Sequence, residues 1–121
     1  MLYSPKFTVK ERRMIYEYRV YHLVPGGMAK EHERLSKVAF PLFEKHGMRV
    51  VGCWTNLIGG SSNEIIYMLG YADLAAREKS WSAFQVDPDW QKEITAAASS
   101  APYVDRIDNV MLRPTAYSPM Q

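Results

Sequence analysis

The chain has 121 residues, of which 47% are hydrophobic and 23% charged, and its formal net charge is +2. This size suits one domain with a single core, and the near-neutral charge provides no basic surface of the kind that nucleic-acid binders carry. The single cysteine excludes an intramolecular disulfide and no apolar run reaches membrane-spanning length, so we expect a cytoplasmic protein that contacts neither nucleic acid nor membrane.

The first half of the chain predicts an extension, a strand and a helix. After an N-terminal extension at residues 1–13, Tyr, Ile and Val are frequent in residues 14–23, as they are in strands. Apolar residues then recur at three- and four-residue steps over 28–46, which is helical spacing. Pro41 should interrupt this helix because it lacks a backbone N–H donor, and Gly47 should end it.

The second half predicts a hairpin, a divided helix and a final strand. The predicted segments are strands at 48–58 and 64–72, a helix at 74–85, a second helical segment that begins at Asp87, and a strand at 103–113. Gly and Ser residues form the hairpin turn, and Asp73 and Asp87 are suited to cap the two helical segments.

This order of elements predicts an α+β fold for residues 14–121. The order βαββαβ is typical of the ferredoxin-like arrangement, in which a four-stranded antiparallel sheet carries its helices on one face. Both faces of most strands carry apolar or aromatic residues, whereas the helices can cover only one of them. We therefore expect a homodimer packed through the uncovered face of the sheet.

Several short strings in this order resemble the NIPSNAP family. They are Glu17-Tyr18-Arg19-Val20-Tyr21 in the first strand, Gly52-Cys53-Trp54 and Asn63-Glu64-Ile65-Ile66 in the hairpin, Asp87-Pro88-Asp89-Trp90 at the helix break, and Arg113-Pro114 near the end. The likeness implies a dimeric α/β barrel, distantly related to cofactor-free monooxygenases and polyketide cyclases, and it implies no single activity. Tyr67 and Leu69 depart from the His and Trp that the family often has in the third strand.

His32 and Tyr67 are the candidates for proton transfer. Either could serve a cofactor-independent enzyme of the monooxygenase, cyclase or isomerase type. The alternative for His32 is a hydrogen-bonded core residue. His32 and His46 are 14 residues apart on one predicted helix. That spacing separates them by about 21 Å, too far to share a metal ion, so we expect no metal site and no cofactor.

Alternation along the first strand places Glu17, Arg19 and Tyr21 on one face. Arg19 could hold a substrate carboxylate or enolate while Glu17 orients it, because a guanidinium pairs well with a planar anion. The alternative is a structural ion pair at the dimer face.

Trp54, Asn56 and Asn109 complete the set of candidate ligand-binding residues. Trp54 would be a stacking wall beside Tyr67 if both side chains face one side of the sheet. The two asparagines could orient a ligand, or could satisfy backbone groups near strand ends.

The leading hypothesis is a protein that binds a small apolar or aromatic molecule, such as an aromatic or acyl ligand, between its sheet and helices. It rests on the eight Tyr, four Phe and three Trp residues beside a few polar groups. The cofactor-independent enzyme and a non-catalytic protein-interaction module are the alternatives.

Overall fold

The structure, a computed structural model, describes residues 13–121, so nearly all of the predicted extension lies outside the described residues. The strands are β1 (Ile15–Leu23), β2 (Arg49–Thr55), β3 (Glu64–Tyr71) and β4 (Val104–Leu112). The helices are α1 (Met28–Arg34), α2 (Phe40–Lys45), α3 (Leu74–Gln85) and α4 (Pro88–Ala97).

The four strands form one antiparallel sheet in the order β2-β3-β1-β4. This is the predicted α+β, ferredoxin-like arrangement, with β1 and β3 at the centre and the helices on one face. Within residues 13–121, no helix is both long enough and apolar enough to cross a membrane.

The core lies between the central strands and the helices. Tyr67, Ile65 and Leu69 of β3 are fully buried and belong to one cluster with Phe43 and Phe84 of the helices. Because side chains alternate along a strand, the odd-numbered residues of β1 and β3 face this core. The helices therefore cover the face of β1 that carries the polar candidates.

The first helix is interrupted close to the expected place. A π-helical turn, Leu35–Ala39, separates α1 from α2, and Pro41 lies in the first turn of α2. The proline has no N–H to continue the helical ladder, and the wider turn precedes it. Gly47 follows the helix with a φ of +85°, a conformation that a side chain disfavours.

Two aspartates cap the N-termini of α3 and α4. Asp73 caps α3 by accepting a hydrogen bond from the Ala76 amide, and Asp87 caps α4. Asp87 also contacts His46 Nε2 at 2.7 Å and Lys45 Nζ at 2.9 Å, which ties the end of α2 to the α3–α4 corner. These hydrogen bonds, with that from Lys45 the strongest, lower the pKa of Asp87 well below its usual range.

The opposite face of the sheet carries no helix, and we call it the open face. It presents apolar side chains from all four strands: Tyr18, Val20, Trp54, Ile66, Met68, Val110 and Leu112. Trp54, Val110 and Leu112 are 49%, 53% and 40% exposed. The C-terminal residues reach one part of this face, where the Tyr16 hydroxyl donates to the Gln121 carbonyl at 2.7 Å.

Candidate functional site

A buried carboxylate lies at the centre of the helix-covered face. Glu17 is fully buried and accepts two hydrogen bonds from Arg77 and one each from Arg19, Tyr71 and Asn109, at 2.7–3.1 Å. Burial is the largest single effect and opposes its ionisation, but the bonds from Arg77, Tyr71 and Asn109 together outweigh it and hold the Glu17 pKa at about 2. Glu17 is therefore a permanent anion that positions its neighbours.

Arg19 is the neighbour that Glu17 directs toward the helices. Its Nη1 donates to Glu17 at 2.8 Å and its Nε to the Tyr67 hydroxyl at 2.9 Å. Its Cζ lies 4.9 Å from the centre of the Trp81 ring, which is cation–π distance. Within residues 13–121, Nη2 donates no hydrogen bond within 3.5 Å, and the Tyr21 side chain lies beside the guanidinium, so a ligand that binds Nη2 would also contact Tyr21.

Two tyrosines extend the polar chain from Arg19. The Tyr67 hydroxyl accepts from Arg19 and donates to the Tyr21 hydroxyl at 2.8 Å. Burial, assisted by Tyr21, raises the pKa of Tyr67 well above its usual value, so the phenol stays protonated near neutral pH. Because Tyr21 accepts from Tyr67, its own hydroxyl hydrogen can point to a further acceptor.

These groups lie beside a cavity of about 280 Å³ between sheet and helices. Arg19 and Tyr21 contribute its polar sheet side, and Phe43, Trp81, Phe84 and Trp90 contribute aromatic walls. Two other lining residues, Gln85 and Ile107, are exposed, so the cavity opens to solvent beside them. The volume is near the lower end of the roughly 300–1,000 Å³ typical of small-molecule sites, which suits a ligand with a single ring.

The helix side of the cavity holds a second charged pair, Glu31 and Arg34. Glu31 is 1% exposed, and its Oε2 lies 3.9 Å from Arg34 Nη1. Within residues 13–121, the buried side-chain atoms without a hydrogen-bond partner are Glu31 Oε2 and Arg34 Nε. Burial raises the pKa of Glu31 to about 7, and Arg34 and Tyr103 offset only part of that effect.

Sequence reasoning missed Glu31, although the chain carried a signal for it. Glu31 follows Met28 by three residues and precedes Leu35 by four, so it lies on the apolar stripe of the helix. A charged residue on a buried stripe is rare unless it is paired or functional. His32, which was assigned to that stripe instead, is exposed on the outer side of α1.

The structure brings five of the eight candidate residues together. They are Glu17, Arg19, Tyr21, Tyr67 and Asn109, all linked by hydrogen bonds. Glu17 and Arg19 form the ion pair of the structural alternative, but the pair faces the helices and not the open face, through which we expect the dimer to pack. Arg77, Tyr71 and Trp81, which sequence reasoning did not single out, complete the cluster.

Trp54, Asn56 and His32 lie apart from this cluster. Trp54 is on the open face, where its ring covers Gly52 so closely that an added Cβ would lie 2.6 Å from it. Asn56 follows the end of β2 and donates to the Ser61 carbonyl and the Glu64 carboxylate, so it shapes the hairpin loop. None of the three lines the cavity.

No group of three or more His, Cys, Asp or Glu side chains within residues 13–121 is arranged to hold a metal ion. The cavity instead combines two guanidinium groups, one buried carboxylate, one phenol hydroxyl and aromatic walls. Such a site can bind an oxygen-bearing molecule with an apolar or aromatic body.

Comparison with known proteins gives a consistent family match. The NIPSNAP family model matches residues 16–119. Protein NipSnap homolog 3A of Homo sapiens is 31% identical over 80 residues, which is 66% of this chain and 32% of that protein. The chain thus spans about a third of the length of the curated relatives it matches.

Solved structures agree with this match over nearly the whole chain. A NIPSNAP family protein from Agrobacterium tumefaciens strain C58 has a TM-score of 0.80 and 26% identity, with 96% of this chain and 98% of that chain covered. A NIPSNAP-like domain protein from Burkholderia xenovorans has a TM-score of 0.75 and 26% identity, with 90% and 91% covered.

Proposed function

The chain belongs to the NIPSNAP family, and from its cavity we propose that it binds a small aromatic or acyl molecule between sheet and helices. The observation that supports this most is the largely buried guanidinium of Arg19, whose side chain is 12% exposed, beside a cavity walled by aromatic rings. Burying a cation costs free energy unless it is paired, and here Glu17 supplies that pairing from below. The arrangement therefore holds a charged hydrogen-bond donor beside the aromatic wall of the cavity.

The oxygen of the ligand would bind to Arg19 and Tyr21. Arg19 offers Nη2, and Tyr21 offers the hydroxyl hydrogen that Tyr67 leaves unused. Two donors that converge on one acceptor suit a carboxylate or a polarised carbonyl oxygen. The Glu17 hydrogen bonds hold Arg19 in place before the ligand arrives, which lowers the entropy lost on binding.

The body of the ligand would contact Trp81, Phe84 and Trp90. The centre of the Phe84 ring lies 5.5 Å from that of Trp81 and 4.6 Å from that of Trp90, so the three rings form a continuous aromatic wall. Such a wall accepts a planar ring by offset or edge-to-face packing. Benzoate, phenylacetate and hexanoate are therefore suitable first probes, because each joins one carboxylate to a small apolar body.

Titration with these acids, followed by tryptophan fluorescence, tests the proposal. A Trp54→Phe background removes the tryptophan of the open face and leaves Trp81 and Trp90, both in the cavity, as reporters. We expect saturable fluorescence changes with at least one aromatic acid. Arg19→Met should weaken binding by about tenfold or more, the loss expected for a hydrogen bond to a charged group.

Two further variants make the titration decisive. Tyr21→Phe keeps the ring and removes only the hydroxyl, so it should weaken binding; it also removes the acceptor of the Tyr67 hydroxyl, which should cost about 1–3 kcal/mol of stability. Lys79→Met removes one positive charge from the exposed side of α3 and should leave the affinity unchanged. The proposal fails if none of the three acids binds saturably, or if Arg19→Met and Tyr21→Phe both bind as tightly as the parent protein.

We also propose that a second copy of the chain covers the open face. The open face spans all four strands, and three of its large apolar side chains are 40–53% exposed: Val110, Leu112 and Trp54. Contiguous apolar surface of this kind usually marks an interface, and identical chains associate most often as two-fold dimers.

Sedimentation of the protein tests this proposal and should give twice the chain mass of 13.9 kDa. Val110→Lys should yield monomers, whereas Leu57→Lys, at a 94% exposed loop position, should not. A monomer in the unmodified protein would refute the proposal.

A further inference from the structure

We infer that Glu31 and Arg34 form a second binding point in the cavity, which takes a hydroxyl group of the ligand. The inference rests on the proposed function, because the same ligand would contact Arg19 on the sheet side. It defines the ligand more narrowly, as a small aromatic acid that carries a hydroxyl substituent.

The evidence is the unmet hydrogen bonding of this pair. Glu31 Oε2 is a buried acceptor and Arg34 Nε a buried donor, and neither has a partner within residues 13–121. More than nine in ten buried polar groups in proteins are hydrogen-bonded, so an unpartnered pair that lines a cavity requires an explanation. A bound ligand that completes both bonds provides one.

A hydroxyl group suits both side chains at once. Its hydrogen can be donated to the Glu31 carboxylate while its oxygen accepts from the Arg34 guanidinium. A carboxylate on the ligand would satisfy Arg34 but repel Glu31, and an ammonium group would do the reverse. The two protein groups are close enough to share one small group, because Arg34 Nη1 lies 3.9 Å from Glu31 Oε2.

The surroundings, which include Tyr103 beside the Glu31 carboxylate, keep both side chains in place but leave Glu31 Oε2 and Arg34 Nε without a hydrogen bond. Arg34 packs over the Tyr103 ring at 4.8 Å and has Glu93 Oε1 3.6 Å from its Nε, beyond hydrogen-bond distance. Glu31 is held by α1, one turn before the buried Leu35. Tyr103, Glu93 and Arg34 are the titratable and charged groups that influence Glu31, and burial still raises its pKa to about 7.

The test compares benzoate with 3-hydroxybenzoate and 4-hydroxybenzoate in the Trp54→Phe background, at about pH 8, where most Glu31 side chains are ionised. We expect at least one hydroxybenzoate to bind about tenfold more tightly than benzoate, since bonds to charged groups contribute that much or more. Two isomers are needed because each directs its hydroxyl to a different part of the cavity.

Variants then assign the gain to this pair. Glu31→Met is nearly isosteric and removes the acceptor, so it should abolish the hydroxyl advantage while benzoate still binds. If Glu31→Met is poorly folded, Glu31→Gln can be used in its place. The glutamine keeps the shape of the side chain and removes its charge, so it should reduce the hydroxyl advantage. Glu33→Met removes the same charge from an exposed position on the same helix and should preserve the advantage.

The outcomes separate this inference from the proposed function. If benzoate binds and neither hydroxybenzoate binds more tightly, or if the advantage survives in Glu31→Met, the second binding point is refuted and the proposed function stands. If benzoate, phenylacetate, hexanoate and both hydroxybenzoates all fail to bind, both are refuted.

Discussion

Replacement of Glu31 by Gln should make the protein more stable at alkaline pH and have little such effect in acid. Glu31 is 1% exposed, and its Oε2 has no hydrogen-bond partner among the described residues. In the unfolded chain the same carboxyl group is hydrated and ionises with its ordinary pKa. The folded state therefore holds the proton more tightly, and folding becomes less favourable as the group loses it.

The magnitude follows from the two pKa values. The Glu31 pKa rises from 4.5 to about 7, and a difference of one pKa corresponds to about 1.36 kcal/mol. Below the lower value both states are protonated and nothing is lost. Between the two values the unfolded state binds fewer protons than the folded state, so the free energy of unfolding falls as pH rises. The full penalty, about 3 kcal/mol, is reached above the upper value.

Urea denaturation of the native protein and of Glu31→Gln at several values between about pH 4 and pH 8 measures this effect. The difference in unfolding free energy between the two proteins should change by about 3 kcal/mol across that range, in favour of the variant at high pH. The other titrating groups are common to both proteins, so their contributions cancel in the difference. Glu33→Gln, at an exposed neighbour, should show no such trend. A difference that stays constant with pH would refute the view that burial raises the pKa of the Glu31 carboxyl group in the folded protein.

Three further substitutions test the scaffold by the same denaturation measurement. Glu17→Gln should destabilise the fold by about 3 kcal/mol, because it leaves the partly buried Arg19 and Arg77 without the fully buried anion that pairs them; a loss below about 1 kcal/mol would show that the cluster is hydrated. Gly47→Ala should destabilise by about 1 kcal/mol because φ is +85° there, and a neutral result would mean that the turn can relax. Asp73→Ala should also destabilise by about 1 kcal/mol, whereas Asp73→Asn should retain most of the cap, and equal losses would point away from capping.

Periodicity predicted much of the fold and one side of the site. Alternation along β1 assigns Glu17, Arg19 and Tyr21 to one face, and the structure has them there, against the helices. The partners that arrive from distant elements, such as Arg77 on α3, were not predictable in the same way. Their contact with Glu17 joins residues 60 positions apart, and single-sequence patterns report only local neighbours.

The position of Trp54 shows how one extra residue in a strand moves the following side chains to the other face of the sheet. Simple alternation places Trp54 on the same side as Val50, which packs against the core. The β2–β3 register shifts between Val50 and Gly52, so Trp54 pairs with Ile66 and lies on the open face. A bulge inserts one extra residue, and a shift of one residue exchanges the two faces of a strand. Gly52, inside the predicted strand, was the sequence signal for this bulge, because an isolated glycine within a strand often marks one.

The helix side of the cavity was missed because of a choice between adjacent residues. His32 and Glu31 both fit three- or four-residue spacing from Met28, and histidine is the more familiar proton-transfer group. The π-helical turn after Arg34 then changes the spacing for the rest of the stripe. In the structure the buried face of α1 includes Glu31 and excludes His32.

The central claim is that an aromatic acid binds in the cavity beside Arg19. A ¹⁵N–¹H spectrum recorded during titration with benzoate tests it most directly, because the three tryptophan indole N–H groups report separately. The signals of Trp81 and Trp90, which line the cavity, should shift and saturate together, while that of Trp54 on the open face should not move. Saturable shifts confined to Trp54, or no shift in any of the three, would contradict the account.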